Sequence, residues 1–157
     1  MIRYIYTFFV GLFLAIFVGM GIAVFYPEPV PPEEPDWYRT SYNQKELTQA
    51  QKDEEEIYIA NQKEFERQVW RHNRYVSVIV LVCAVIILAA ALLLASRLGV
   101  IADGLLLGGI FTLLYGIGRG MATDSNKYRF LVAAVGLMTT LVLGYIKFTR
   151  RQAKGGA

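Results

Sequence analysis

The 157-residue chain contains one cysteine, Cys83, and one histidine, His72. A single cysteine excludes an intramolecular disulfide. The pair also excludes the usual structural zinc site, which takes about four ligands rich in cysteine and histidine. We therefore expect neither a metal site nor a cofactor.

Charge is nearly absent from four long stretches. Residues 4–26, 75–96 and 130–146 contain no charged side chain, and residues 98–118 contain only Asp103. Each stretch approaches the roughly 20 residues that cross a bilayer as a helix. None has the polar residues at helical period that a helix of a soluble core would show. The sequence predicts an all-α membrane protein with transmembrane helices at 4–26, 75–96, 98–118 and 130–148.

Proline occurs only in the acidic linker predicted at residues 27–43, and all five prolines lie between residues 27 and 35. Proline fixes φ and lacks an N–H, so it ends a helix that leaves the bilayer. Closely spaced prolines favour an extended polyproline-like segment. The alternative is a docking motif for a proline-reading domain, on the spacing Pro29-x-x-Pro32. Adjacent acids and the nearby bilayer favour the linker interpretation.

The first apolar stretch has a second interpretation as a cleaved signal peptide. Arg3 precedes it, and Gly21-Ile-Ala23 is a small-x-small pattern that a signal peptidase accepts. The stretch is longer than the 7–15 residues typical of a signal-peptide core. We therefore expect a permanent membrane span.

Residues 44–74 lack glycine and proline and are rich in helix formers. They predict a polar amphipathic helix continuous with the second span. One stripe of this helix is apolar, and its candidate partner-binding residues are Leu47, Ile57, Tyr58, Phe65 and Val69. Three interpretations of the stripe are open. It packs against the proline linker of its own chain, it binds a partner helix, or it lies on the bilayer surface. Glu54, Glu55 and Glu56 argue against the bilayer, where a basic polar face is usual.

Small residues recur at four-residue spacing within the spans. Gly104 and Gly108 lie in the third span, and Gly136, Thr140 and Gly144 form a ridge on the fourth. Such spacing lets helix backbones approach closely in a membrane. We expect these positions to mediate helix packing.

Asp103 is the one ionisable residue inside a predicted span, where such residues often mark ion or proton pathways. It lies near the end of that span. We expect an interface residue that caps a helix or pairs with Arg97 across a tight turn at 97–99. The functional alternative is a proton or cation site.

Catalysis and nucleic-acid binding have little support. No set of histidine, acid and serine or cysteine is evident, so we expect no enzyme. Residues 27–74 hold 11 acidic and seven basic residues, whereas the rest holds two acidic and nine basic residues. An acidic segment between basic-flanked apolar runs is membrane-protein patterning and not a nucleic-acid surface.

Four spans put both termini on one side of the membrane. Six basic residues flank the spans on that side, and eight lie on the other side, including the predicted loop at 119–129. The positive-inside rule therefore does not decide on which side of the membrane the termini lie. The acid-free basic tail at 149–157 favours cytoplasmic termini.

The overall pattern is typical of a small multi-pass bacterial membrane protein. The first functional hypothesis is a non-enzymatic scaffold or accessory subunit that binds other membrane subunits or its own copies. The second is a small transporter or channel that uses Asp103.

Overall fold

The computed structural model describes residues 1–37 and 48–155, and the regular elements there are helices. Helix α1 spans Ile2–Phe25, α2 spans Gln49–Ala95, α3 spans Arg97–Met121 and α4 spans Asn126–Gly155. All four are long and apolar enough to cross a membrane, by length and composition; in α4 this applies to Asn126–Ile146. The prediction of an all-helical chain with four long apolar helices is confirmed.

Helix α1 ends where the prolines begin. Tyr26 leaves the helical region with φ −137° and ψ 77°, and its N–H still donates to the carbonyl of Ile22. Pro27 disfavours a helical conformation in the residue before it and offers no N–H to continue the helix. The predicted end at residue 26 and the observed end differ by one residue.

Helices α2 and α3 belong to one helical run, Gln49–Met121, with a kink in the first turn of α3. The kink is at Gly99, whose φ is 30° and ψ is −93°. This conformation lies at positive φ, which glycine adopts readily because it has no Cβ. The polar helix and the second span, predicted as continuous, are both parts of α2. The predicted helix start at residues 44–47 lies outside the described residues.

The connection between α3 and α4 is limited to residues 122–125 and is shorter than the predicted loop at 119–129. Thr123 closes the end of α3, since its hydroxyl donates to the carbonyl of Gly120 at 2.8 Å. The Ser125 hydroxyl accepts from the N–H of Tyr128 at 3.4 Å at the start of α4. Apolar runs underestimate helix length because charged residues such as Lys127 and Arg129 continue a helix beyond them. At its other end α4 likewise extends past the predicted end at residue 148 into the predicted basic tail.

The chain divides into two compact units. Unit 1 contains Met1–Pro27 and Asn73–Ala157, and unit 2 contains Glu28–His72. Unit 1 has a core contributed by α2, α3 and α4: Leu81, Ala84, Leu113, Tyr128 and Val132, with Ile117 packed against it. Helix α1 buries only Gly11 and leaves most of its large apolar side chains exposed.

Candidate functional site

In unit 2 the proline segment lies beside the apolar stripe of α2. Three prolines of the segment, Pro31, Pro32 and Pro35, share the lining of a cavity of about 610 Å³ with Tyr58 and Phe65. Tyr58 is 7% exposed, and its hydroxyl accepts from Gln62 at 3.3 Å. The segment is also tied to α2 by the Trp37 indole, which donates to the Glu54 carboxylate. Part of the stripe therefore faces the chain's own linker.

The other stripe residues differ in exposure. Ile57 is 62% exposed, and Val69 is half-buried. Leu47 lies outside the described residues. Ile57 borders a second cavity of about 410 Å³, together with Glu33, Glu34 and Glu54. The side of the stripe that contains Ile57 is thus open and has acidic neighbours.

In unit 1 the predicted glycine pair of α3 lies against α1. A Cβ on Gly104 would lie 2.8 Å from Val10 Cγ1, and a Cβ on Gly108 would lie 3.1 Å from the carbonyl oxygen of Gly11. The contact is reciprocal, because a Cβ on Gly11 would lie 3.0 Å from the backbone nitrogen of Gly108. Glycine at these positions lets the two backbones touch.

The residues of the predicted ridge of α4 differ in their contacts with other helices. A Cβ on Gly136 would lie 2.5 Å from Ile117 Cδ1 of α3, so this glycine sits at a helix contact. A Cβ on Gly144 would meet nothing within 4 Å. The Thr140 hydroxyl donates to the carbonyl of Gly136 in its own helix at 2.9 Å. Within the described residues, close packing of this ridge is therefore limited to Gly136.

A second set of glycines on α3 was missed by the sequence reasoning. Cβ atoms on Gly109, Gly116 and Gly120 would lie 2.5 Å from Leu88, 3.0 Å from Val80 and 2.7 Å from the Ser77 hydroxyl, all on α2. At 3.6 residues per turn these glycines lie on a face about 120° from that of Gly104 and Gly108. Gly116 and Gly120 have the same four-residue spacing as Gly104 and Gly108, and Gly109 precedes Gly116 by about two helical turns, so the sequence did contain a signal for this face.

The expected pairing of Asp103 with Arg97 is wrong. The Asp103 carboxylate instead accepts from the Arg3 guanidinium at 3.1 Å, which links the start of α3 to the start of α1. The two side chains remain 45% and 61% exposed. They border a cavity of about 480 Å³ whose other wall includes Leu107 and Ile110. Helices α1 and α3 therefore run in the same direction, since both begin at this end of unit 1 and Gly11 meets Gly108 further along.

A polar network joins the helices at the opposite end of unit 1. Arg119 donates to the Asn73 side-chain oxygen at 2.9 Å and to the Tyr115 hydroxyl at 3.2 Å. The buried Ser77 hydroxyl donates to the Gly116 carbonyl at 2.8 Å. Buried side-chain polar atoms of the described residues all have hydrogen-bond partners. These bonds hold α2 against α3 and were not anticipated, because their partners are 39 and 46 residues apart.

The start of α4 is tied to the same end. The Tyr128 hydroxyl donates to the backbone carbonyl of Arg74 at 3.0 Å, and the Arg74 guanidinium lies 5.0 Å from the centre of the Tyr128 ring. Arg129 donates to the Thr123 carbonyl at 2.8 Å. Arginine and tyrosine thus set the position of α4 relative to α2.

No group of three or more His, Cys, Asp or Glu side chains suited to a metal ion occurs within residues 1–37 and 48–155. No protein-family model matches this chain, and neither the curated proteins nor the solved structures include a significantly similar one.

Proposed function

We propose that this chain is an integral protein of a bacterial plasma membrane, with both termini in the cytoplasm. It acts as a non-enzymatic scaffold or accessory subunit that binds other membrane subunits, or further copies of itself, through helix–helix contacts. The outward side chains of unit 1 support the membrane location. Phe13, Phe17, Ile86 and Leu137 are between 61% and 74% exposed. Large apolar side chains exposed in such number are stable in lipid and not in water.

The exposed Ile57 is the observation that supports the scaffold role. Unit 2 contains 11 acidic and six basic residues, so water is the natural solvent of its surface. Tyr58 and Phe65 are turned to the proline segment, whereas Ile57 remains open beside them. An open aliphatic edge next to a rigid aromatic and proline surface suits the apolar face of a partner helix.

Site-specific photo-crosslinking tests this role with a matched control on the same helix. Ile57 and Ile59 are both exposed, but two helical residues separate their directions by about 200°. A photoreactive phenylalanine analogue at position 57, introduced in cells, should give a discrete adduct with a partner subunit or a second copy. The same group at position 59 should give little. Equal adducts at both positions, or none at either, would contradict a helix-binding edge at Ile57.

A transporter or channel is the second candidate, and the cavity beside Arg3 and Asp103 is the observation that favours it. The mutation Asp103→Asn removes the charge while leaving a side chain of similar size. In proteoliposomes, a transporter that uses this carboxylate should lose its proton or cation flux in the Asn variant. An unchanged flux would remove Asp103 from the mechanism.

A further inference from the structure

The exposed Ile57 lies in a pocket whose two walls come from different segments of unit 2. One wall belongs to α2 and includes Glu54 and Asn61, and the other is the end of the proline segment, residues 33–36. The cavity between the walls measures about 410 Å³. The pocket at Ile57 therefore exists only while the proline segment lies against α2.

Burial along the proline segment has a period of three residues. Pro29, Pro32 and Pro35 are half-buried, whereas the residues between them, including Glu33 and Glu34, are exposed. Three residues per turn is the repeat of a polyproline helix, so the three prolines share one covered face and the two glutamates lie off that face. Both glutamates also line the pocket at Ile57. The proline segment thus presents carboxylates to a group that enters the pocket.

Negative charge surrounds the aliphatic side chain in this pocket. Four lining residues are acidic: Glu33, Glu34, Asp36 and Glu54. The described residues of the lining include no lysine or arginine. Unit 2 has 11 acidic and six basic residues, so ion pairs within the unit cannot neutralise all of its carboxylates. The pocket is complementary to an occupant that combines a cation with an apolar group.

A second copy of the chain does not have this complementarity. The polar part of α2 and the second span are one helix, so copies inserted alike in one membrane run their α2 helices in the same direction. A two-fold dimer through this face would set each pocket against its own counterpart. The carboxylates of the two pockets would then face each other, and like charges opposed across an interface are unfavourable.

We propose that the pocket at Ile57 binds a segment of a different protein, in which an arginine or lysine lies beside an aliphatic or aromatic side chain. The apolar group packs on Ile57, and the cation pairs with carboxylates of Glu33 and Glu34. The proposal rests on the scaffold role and narrows it, since the partner at this pocket is another protein and not a further copy.

Photo-crosslinking from position 57, in cells that co-express two differently tagged copies of the full chain, tests the proposal. Each adduct should contain only one of the two tags. The double variant Glu33→Gln/Glu34→Gln removes two charges from the pocket and keeps side chains of similar size. It should lower the adduct yield about fivefold, since exposed ion pairs contribute up to about 1 kcal/mol each.

Glu55→Gln/Glu56→Gln is the matched control, because it makes the same change of charge on α2 outside the lining of the pocket. This variant should leave the adduct yield unchanged. The amount of each variant in the membrane fraction, measured by immunoblot, normalises the yields.

Two results would overturn the proposal while leaving the scaffold role intact. Adducts that contain both tags would make the occupant a second copy. Equal yields in the two double variants would mean that the carboxylates of the pocket do not recognise the partner. The absence of adducts from position 57 would instead overturn the scaffold role and this proposal with it, so the two failures are distinguishable.

Discussion

The two units use opposite means to bring segments of the chain together. In unit 1, Gly11 and Gly108 allow backbones to touch, and Gly120 lies directly against Ser77. In unit 2, stiff prolines lie beside Tyr58 and Phe65 with a cavity of about 610 Å³ between them. Close packing stabilises helices that have no hydrophobic drive to associate in lipid. The loosely filled contact of unit 2 leaves that unit better suited to exchange contacts with a partner.

Enlarging a backbone-contact glycine should produce the largest effect. Gly108→Leu places a side chain where even a Cβ would lie 2.8 Å from Leu14 and 3.1 Å from the Gly11 carbonyl. Overpacking at such a contact should lower the free energy of unfolding by about 3 kcal/mol. Thermal unfolding in mild detergent, followed by near-ultraviolet circular dichroism, measures this loss.

Gly118→Leu is the matched control on the same helix, because a Cβ there would meet nothing within 4 Å. This variant should unfold within a few degrees of the unaltered chain. Equal losses in the two variants would mean that α1 and α3 do not approach at Gly108.

Removing the buried ring of unit 2 should have a smaller and more local effect. Tyr58→Ala loses the packing of a side chain that is 7% exposed, worth about 2 kcal/mol. The proline segment should then open roughly 30-fold more often, by the conversion of 1.36 kcal/mol per tenfold. A glutamate-specific protease should cut after Glu33 correspondingly faster, since the bond after Glu34 leads into Pro35 and resists cleavage. Ile59→Ala, on an exposed side of the helix, should not alter the rate. Equal cleavage in both variants would show that Tyr58 does not hold the segment.

A single interhelical hydrogen bond should contribute least. Ser77→Ala removes the bond from a buried hydroxyl to the Gly116 carbonyl and should cost about 1 kcal/mol. Thr140→Ala removes a hydroxyl that bonds only within α4 and should cost less than about 0.5 kcal/mol. The same unfolding assay compares the two. A reversed order would contradict the assignment of Ser77 to the contact between α2 and α3.

Much of the fold was predictable because a helix that crosses a bilayer needs a long uncharged stretch of sequence. Such a stretch can be recognised without knowing which helices pack against it. The four-residue spacing of Gly104 and Gly108 also indicated close packing, but it did not indicate that α1 is the helix they touch. The helix contacts of Gly109, Gly116 and Gly120 were not predicted, although Gly116 and Gly120 have the same four-residue spacing, and nothing in that spacing indicates that α2 is the helix they touch.

The partner of Asp103 could not be inferred for a related reason. Arg97 is close in sequence, whereas Arg3 is 100 residues away and reaches Asp103 only because α1 and α3 begin at the same end of unit 1. The polar network of Asn73, Ser77 and Arg119 has the same origin, since long-range pairs depend on tertiary packing. The sequence pattern of the stripe likewise did not separate Ile57, which is open, from Tyr58, which is covered.

Hydrogen exchange along α2 tests the account most directly, because this one helix contributes residues to both units. In lipid nanodiscs, amides of residues 75–95 should exchange at least a thousandfold more slowly than those of residues 49–72, since lipid withholds the water that exchange requires. That result would place unit 1 in the bilayer and unit 2 outside it. Uniform protection along the whole of α2, or uniform exchange, would contradict the division on which the proposed function depends.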